Sequence, residues 1–477
     1  MGPDGEPTRL ESFTVGADTT SAWSVIRSSE LWEGLDIAGE HYHPSKLYAL
    51  SALERVSAQK ISDFFDNVRN IYDPSRTSTL PQNARTFDLT DALGNHLKEG
   101  WPVSSVAEVG SNKKIAQPGD VIIARLRSYL REIAVVPHNT GITYLLSTEF
   151  IVLRNKFDRH NGRFLLPYLL SDSIQTILQW SQDGSNHPRF ADSLLMNLPL
   201  PKALIQNQGK LNSLVDKANQ NFQRSRSLYF HAENLLLESL GLANLNEEKE
   251  STKLDDSLTY TVLAGEVFST RRLDAEFYQQ KFRHIMESIS RSGKILSDIA
   301  QLAKRKFQPQ PGKTFQYIEI SDLDQSGYAD SSTIWGEDAP SRAQWIVNSD
   351  DVITSTVRPI RRLSALIEPE QHGFVCSSGF AVLQSTSIEP EVLLVYLRLA
   401  PISEILDLYT SASMYPAIAT TDLLKLPVAI PPDAVRAKIV ELIRESRNDR
   451  REFFRLLTEA KRYVESLIQG KEDYVAQ

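Results

Sequence analysis

Residues 198–242 read LPLPKALIQNQGKLNSLVDKANQNFQRSRSLYFHAENLLLESLGL, and this stretch decides the reading of the whole chain. Between Pro201 and Gly241, apolar or small residues step by four and three: Leu211, Val215, Ala218, Phe222, Ser225, Tyr229, Ala232, Leu236. A 3.5-residue repeat on one seam predicts a single long helix packed lengthwise against another. The chain supplies that second helix between Pro431 and Gly470, where the seam runs Leu442, Ser446, Asp449, Phe453, Leu456, Ala460, Tyr463, Leu467. Each of these lies 231 positions after its counterpart. Both helices open after a proline-bounded entry, LPLP at Leu198–Pro201 and VAIP at Val428–Pro431, and Gly241 and Gly470 stand where a C-cap glycine would stop them. The seams are not identical. Ser225 has Leu456 as its counterpart, while Ser446 and Asp449 replace Val215 and Ala218, so the pair is expected to prefer each other over self-pairing.

The repeat extends outward from the helices. Asp120-Val121-Ile122 recurs as Asp351-Val352-Ile353, and Arg125–Arg131 (RLRSYLR) recurs as Thr356–Arg362 (TVRPIRR). Ser147–Leu153 recurs as Ser377–Leu383, with Gly379 where the first copy has Glu149; Asp350 stands where the first has Gly119. Upstream, Trp23–Asp36 followed by a helical segment through Val56 matches Tyr260–Asp274 followed by AEFYQQKFRHIMESI, a short strand and then a helix in each. A period near 230 residues is far too long for a solenoid and implies a duplicated domain. The inserts 62–110 and 296–342 show no such agreement. Both are rich in Pro, Asn, Ser, Gly and aromatics, and alternation such as Phe315–Ile320 predicts short strands. A common frame carrying two different readers is expected.

The fold class is therefore α+β: two β-rich domains with two long helices and an internal repeat. The expected divisions are a leader over 1–22, a first domain 23–200, the central helix 201–242, a charged linker 243–257, a second domain 258–430, the C-terminal helix 431–470 and a tail 471–477.

The chain has 477 residues, enough for several buried cores, and the composition of an ordinary globular protein. A lone cysteine, Cys376, excludes an internal disulfide framework and suits a reducing cytosol. Neither a membrane span nor a secretion signal is expected. The net charge of −8 argues against indiscriminate coating of nucleic acid. That charge is unevenly spread: residues 1–100 are acidic, whereas 101–200 carry a slight excess of clustered Lys and Arg.

Catalytic and metal constellations are missing from the sequence. Cys376 sits in a predicted strand, where an inert buried thiol outweighs a nucleophile. His41 and His43 lack a third ligand nearby and read as helix-surface residues. Gly312-Lys313-Thr314 imitates the end of a phosphate loop, but Phe307 stands where its first glycine belongs. No amino-methyltransferase tetrapeptide is present; Tyr72-Asp73-Pro74-Ser75 lacks the second proline. The basic runs are better candidates. Arg125, Arg127 and Arg131, with Tyr129 among them, fall at alternate positions of a predicted strand, so their side chains would share one face. Arg358, Arg361 and Arg362 occupy the equivalent region. Guanidiniums on such a face suit phosphate oxygens and guanine edges, although an isolated basic run is more often a solvated or salt-bridged edge. Lys304, Arg305 and Lys306, with Lys313 beyond, lie where a helix is expected to end at the start of the second insert. Lys113 and Lys114 lie in a predicted loop before Val121.

In this order and twice over, the segments RLDAEFYQQKF, PGDVIIARLRSYLREIAVVP, LLSTEFIVLR and LPLPKALIQNQGKLNSLVDKA resemble the specificity (S) subunits of type I restriction-modification systems. The resemblance runs from about Trp23 to Gly470. It implies a non-catalytic protein with two target recognition domains, each reading one part of a split, asymmetric double-stranded DNA site. It also implies that the helices pack antiparallel as a spacer and dock two methyltransferase subunits, which bring S-adenosylmethionine to adenine; this chain itself needs no cofactor or metal. A translocating nuclease subunit would complete a restriction complex. A helix of about 39 residues spans about 58 Å, of the order of the 34–36 Å that separates equivalent major-groove faces. Two rival readings remain: a target-recognition subunit of another methyltransferase-coupled phage-defence complex, and an acidic scaffold or restriction-blocking decoy that never reads DNA.

Overall fold

The computed structural model describes residues 39–470 except 139–140, 159–160, 185, 244–260, 271, 325 and 411–414. The expected leader, the strand near Val25, nearly all of the linker and the tail fall outside the described residues. What is described divides into two compact units, one within Met1–Asn221 and Arg451–Gln477, the other within Phe222–Arg450. No helix among the described residues is long and apolar enough to cross a membrane.

The first unit is built on the run Val121-Ile122-Ile123-Ala124, buried on both faces of its strand. Its strands are β1 (Phe65–Asn67), β2 (Ile71–Tyr72), β3 (Ala84–Phe87), β4 (Trp101–Pro102), β5 (Lys113–Ala116), β6 (Val121–Ala124), β7 (Ile133–Val135), β8 (Thr143–Ser147) and β9 (Phe150–Asn155). They form a four-stranded sheet, β1-β9-β6-β7, and a five-stranded sheet, β2-β5-β8-β3-β4, in which β3 and β8 run parallel. Strand side chains alternate between faces, so Ile122, Ala124 and Val152 of one sheet meet Phe87, Tyr144 and Leu146 of the other in a shared core.

The second unit repeats this plan. Its strands are β10 (Lys294–Ile295), β11 (Ala300–Leu302), β12 (Thr314–Ile318), β13 (Ser332–Trp335), β14 (Ala343–Ile346), β15 (Val352–Ser355), β16 (Ser364–Leu366), β17 (Val375–Ser377), β18 (Phe380–Ser385) and β19 (Pro427–Val428). The sheet β11-β18-β15-β16 matches the first unit's β1-β9-β6-β7, with Val352 opposite Leu383 as Val121 is opposite Leu153. The sheet β13-β12-β17-β14, again with one parallel pair, matches β4-β3-β8-β5 and lacks a partner for β2. The inserts that share no sequence pattern therefore share a topology. Asp350 (φ 68°) adopts the left-handed backbone of its counterpart Gly119 (φ 87°), which an aspartate tolerates better than most side chains. The recurring aspartates are both buried: Asp120 takes two bonds from Arg154 (2.8 and 2.7 Å), and Asp351 is bonded by Arg305.

The long helices are found at Gln208–Leu240 and Asp433–Ile468. The first does not begin at Pro201 as expected. A separate short helix, Lys202–Gln206, ends at Asn207, whose amide nitrogens, main-chain and side-chain, both donate to the Ala203 carbonyl (3.0 and 2.9 Å). All sixteen seam positions are buried. Within the second unit Phe222 faces Arg450 and Ser225 meets Ser446, so the helices there run antiparallel. Within the first unit Tyr463 Oη donates to Asn207 Oδ1 at 2.8 Å. Gly241 (φ 69°) and Gly470 (φ 71°) cap the helices in the left-handed conformation that favours glycine.

Candidate nucleic-acid interface

The two basic runs do not continue the strands that precede them. Strand β6 stops at Ala124 and β15 at Ser355, and each chain then makes the same loop. One left-handed arginine, a single 3-10 turn and a second left-handed arginine follow: Arg127 (φ 52°), Ser128–Leu130, Arg131 (φ 51°) in the first unit, and Arg358 (φ 50°), Pro359–Arg361, Arg362 (φ 59°) in the second. The expectation of side chains alternating along a strand fails because two residues per loop have positive φ. Such a backbone is costly for a branched or bulky residue and persists where its surroundings fix it. Here the first arginine is pinned by its own N–H, which Arg127 donates to the Pro188 carbonyl (2.9 Å) and Arg358 to that of Pro416 (2.8 Å). The turn tips are exposed in both: Tyr129 and Leu130 in one, Ile360 and Arg361 in the other.

The loops share a backbone and differ in charge. In the first unit Glu149 sits between two arginines, accepting from Arg125 Nε at 2.9 Å and from Arg189 Nε and Nη2 at 3.0 Å each. Arg189 and then Arg125 hold its carboxyl below the usual carboxylate range. Asp192 lies 3.6 Å from Arg125 on the other side. Glu132 follows the loop, buried and with Oε2 unpartnered; desolvation pushes its pKa to about 7, against the opposing influence of Arg127 and Lys98. Matching hydrogen bonds and bridges identify the counterparts in the second unit. Thr356 stands for Arg125, Leu363 for Glu132, Gly379 for Glu149 and Ala417 for Arg189. None of the four is charged. Beside Thr356 and Gly379 opens a cavity of about 420 Å³ bordered by Arg342, Arg358, Arg361 and Tyr415, with no carboxylate among the described residues of its lining. The Arg358 guanidinium lies 5.5 Å from the centre of the Tyr415 ring, a cation–π arrangement.

Other basic residues serve the fold. Arg362 is joined to Glu233 and to the Arg398 carbonyl, and Arg131 lies 3.8 Å from Asp172, which Lys461 also contacts at 2.6 Å. Lys113 and Lys114, expected in a loop, belong to β5 and are buried. Lys114 Nζ donates to the Phe150 carbonyl at 2.6 Å, and desolvation lowers its pKa. An aliphatic stem can line a core while its ammonium finds one carbonyl, which is why a Lys-Lys pair fits a strand. The cluster 304–306 follows β11 and not a helix: Arg305 turns inward to Asp351 and the Ile346 carbonyl, while Lys304 and Lys306 remain exposed, as does Lys313 in the turn before β12. Two exposed aromatics escaped the sequence reading. Trp101 on β4 and Trp335 on β13 stand on the outer strands of matching sheets. Their sequence surroundings differ, so only the shared topology pairs them.

His43 stacks on Trp180 at 3.7 Å and His41 Nε2 lies 3.3 Å from Asp183. Among the described residues no group of three or more His, Cys, Asp or Glu is placed to hold a metal. Cys376 is buried in β17, and burial pushes its thiol pKa up.

Three solved structures to which this chain is similar come from type I restriction-modification systems. One is a chain from work on complex assembly and conformational transition of the type I R-M system, at 18% identity, covering 87% of this chain and 96% of that one, with a TM-score of 0.30. Another is the HsdS subunit of Thermoanaerobacter tengcongensis, at 16% identity, 87% and 96% coverage and a TM-score of 0.29. A third is the type I S subunit of M. genitalium, at 11% identity, 88% and 96% coverage and a TM-score of 0.35. No protein-family profile matches the chain, and no curated protein matches it.

Proposed function

We propose that this chain is a specificity subunit of a type I restriction-modification system: a non-catalytic reader of a bipartite, asymmetric double-stranded DNA site. It brings two adenine methyltransferase subunits to that site, and these carry the S-adenosylmethionine; a nuclease subunit joins for restriction. The observation that carries this reading is the pair of units with one topology and one arginine loop but unlike loop surfaces. A single frame used twice with different surfaces suits a target whose halves differ. Guanidiniums and an aromatic at an exposed turn suit base edges and phosphates in a groove. In the first unit the groups best placed are Arg127 and Tyr129; in the second, Arg358.

The test is co-expression with the neighbouring methyltransferase, followed by base-resolution methylation mapping. The expected result is a split motif with modified adenine on both strands, and Arg127→Ala altering one half of it only. A contiguous motif, or no modification at all, would overturn the reading. The net charge of −8 favours one other reading, an acidic scaffold that holds the methyltransferase without reading DNA. Binding that is absent, or salt-dependent but indifferent to sequence, would support the scaffold.

A further inference from the structure

The first unit's loop is closed by an ion cluster, and the second unit has lost every member of it. Arg125, Glu149 and Arg189 become Thr356, Gly379 and Ala417, and the buried acid Glu132 becomes Leu363. Where the first unit has two arginines and two carboxylates, the second unit has uncharged residues, and a cavity lies beside Thr356 and Gly379. The three arginines that border the cavity, Arg342, Arg358 and Arg361, come from other positions. Among the described residues, neither Arg342 nor Arg361 forms an ion pair, and Arg361 is exposed. A protein concentrates guanidiniums around an opening without carboxylates at a cost in mutual repulsion, which an anion would relieve.

We infer that the cavity beside Gly379 is a phosphate seat, and that the first unit's counterpart has been shut by Glu149. Guanidiniums bind phosphate oxygens through paired, charge-assisted hydrogen bonds, and Tyr415 holds the Arg358 plane in place. Such a seat carries no base information: it anchors the second unit on a backbone while the first unit lacks the equivalent anchor. The ligand chemistry is a phosphate group. That its source is a DNA phosphodiester rests on the function proposed above, whereas a free phosphate would need no such function.

The experiment uses the full chain with three substitutions: Arg361→Gln, Arg342→Gln and Gly379→Glu. The last restores the first unit's carboxylate. A Cβ at Gly379 would meet the Ile320 Cδ1 atom at 2.6 Å, the end of a flexible side chain, which can move aside, with Ile320 Cγ1 and Ser377 Oγ at ordinary contact distances of 3.6 and 3.7 Å. Binding to short duplexes of several sequences is measured across a salt series, and inorganic phosphate is titrated separately by phosphorus NMR. On DNA, each variant is expected to weaken binding alike on every sequence, to lower the slope of log K against log salt by about 0.9 per lost contact, and to leave the methylated sequence unchanged. Should the duplex slopes stay fixed while inorganic phosphate binds the parent chain and not Arg361→Gln, the seat stands and its ligand is free phosphate. If neither slope nor phosphate binding moves, or if the variants change which sequence is methylated, the phosphate seat is overturned. A chain that binds no duplex at all refutes the DNA-reading function, and the phosphate titration then decides the seat alone. An unchanged thermal melt of Arg361→Gln, expected of an exposed residue, certifies the fold of the variant.

Discussion

The two units solve one folding problem with two different electrostatic strategies. Around the arginine loop the first unit satisfies its charges internally, through Glu149 and Asp192, keeps the carboxyl of Glu132 buried behind it, and presents an aromatic tip at Tyr129. The second dispenses with those acids near the loop and spends its buried ionic contacts elsewhere. Arg398 replaces the first unit's Leu170 in an otherwise equivalent helix, aligned by Tyr168 and Tyr396, which donate to the carbonyls of Pro199 and Pro427. Arg398 Nε donates to Tyr229 Oη at 2.7 Å, and Nη1 donates to the carbonyls of Arg362 (2.8 Å) and Ser364 (2.9 Å). The loop of the second unit is thus braced from behind, and that of the first from the front. A frame can keep its backbone while moving the supporting charge from one side of a loop to the other.

The largest effect is expected where the brace is buried. Arg398→Leu, which copies the first unit, takes the buried guanidinium donor from Tyr229 Oη and from the carbonyls of Ser364, Arg362 and Asp324, and should destabilise the second unit by about 3 kcal/mol. Hydrogen exchange resolved by unit should show faster opening in 222–450 and unchanged protection in the first unit. Equal loss in both would break the comparison. Glu132→Gln should act in the opposite direction. The carboxyl has a folded pKa of about 7 against its ordinary 4.5, so the native state binds the extra proton and stability falls as pH rises through that interval. The variant should be more stable than the parent by about 3 kcal/mol at pH 8, with no difference at pH 4, as read from urea midpoints.

Smaller again is Glu149→Gln. Its partners are partly solvated, so a loss of about 1–2 kcal/mol is expected. Because Glu149 titrates below the usual range, this contribution is present above the unfolded carboxylate pKa and disappears on acidification. A parent chain whose acid unfolding matches that of the variant above pH 5 would sink the cluster's role. Least of all, Ser446→Ala removes a hydroxyl that donates to the Ser225 carbonyl at 2.7 Å and faces its Oγ at 3.1 Å. A cost of about 0.5–1 kcal/mol is expected from thermal melts.

Much of this frame was legible in the sequence because it rests on periodicity. The seams of both helices, the glycine caps, the buried strand at Val121 and its repeat at Val352 all follow from spacing alone. The loops were not legible. Nothing in RLRSYLR announces two arginines with positive φ, since the first of them is pinned by a bond to the Pro188 carbonyl, far away in sequence. Lys113 and Lys114 look like a solvated pair until β5 is paired with β8 and the Lys114 ammonium finds the Phe150 carbonyl. The ion cluster was hidden by its offsets: Arg125 and Glu149 recur after 231 and 230 positions, but Arg189 after 228, so the third member falls out of register with the repeat that revealed the others. The short helix ending at Asn207 was missed because its sequence keeps the helical pattern, and only a side-chain bond to the Ala203 carbonyl interrupts it.

The first unit draws one of its walls from the far end of the chain. Leu211 and Val215 are buried in a unit that includes the stretch from Arg451 onward, where Tyr463 bonds Asn207, Lys210 lies over the Tyr463 ring at 3.9 Å, and Glu465 Oε1 accepts from the Asp172 N–H at 2.6 Å. During synthesis, therefore, the unit made first cannot finish first. Its seam stays uncovered while the ribosome adds the remaining residues, and a message cut short before Arg451 yields a second unit with all its residues beside a first unit that lacks one wall.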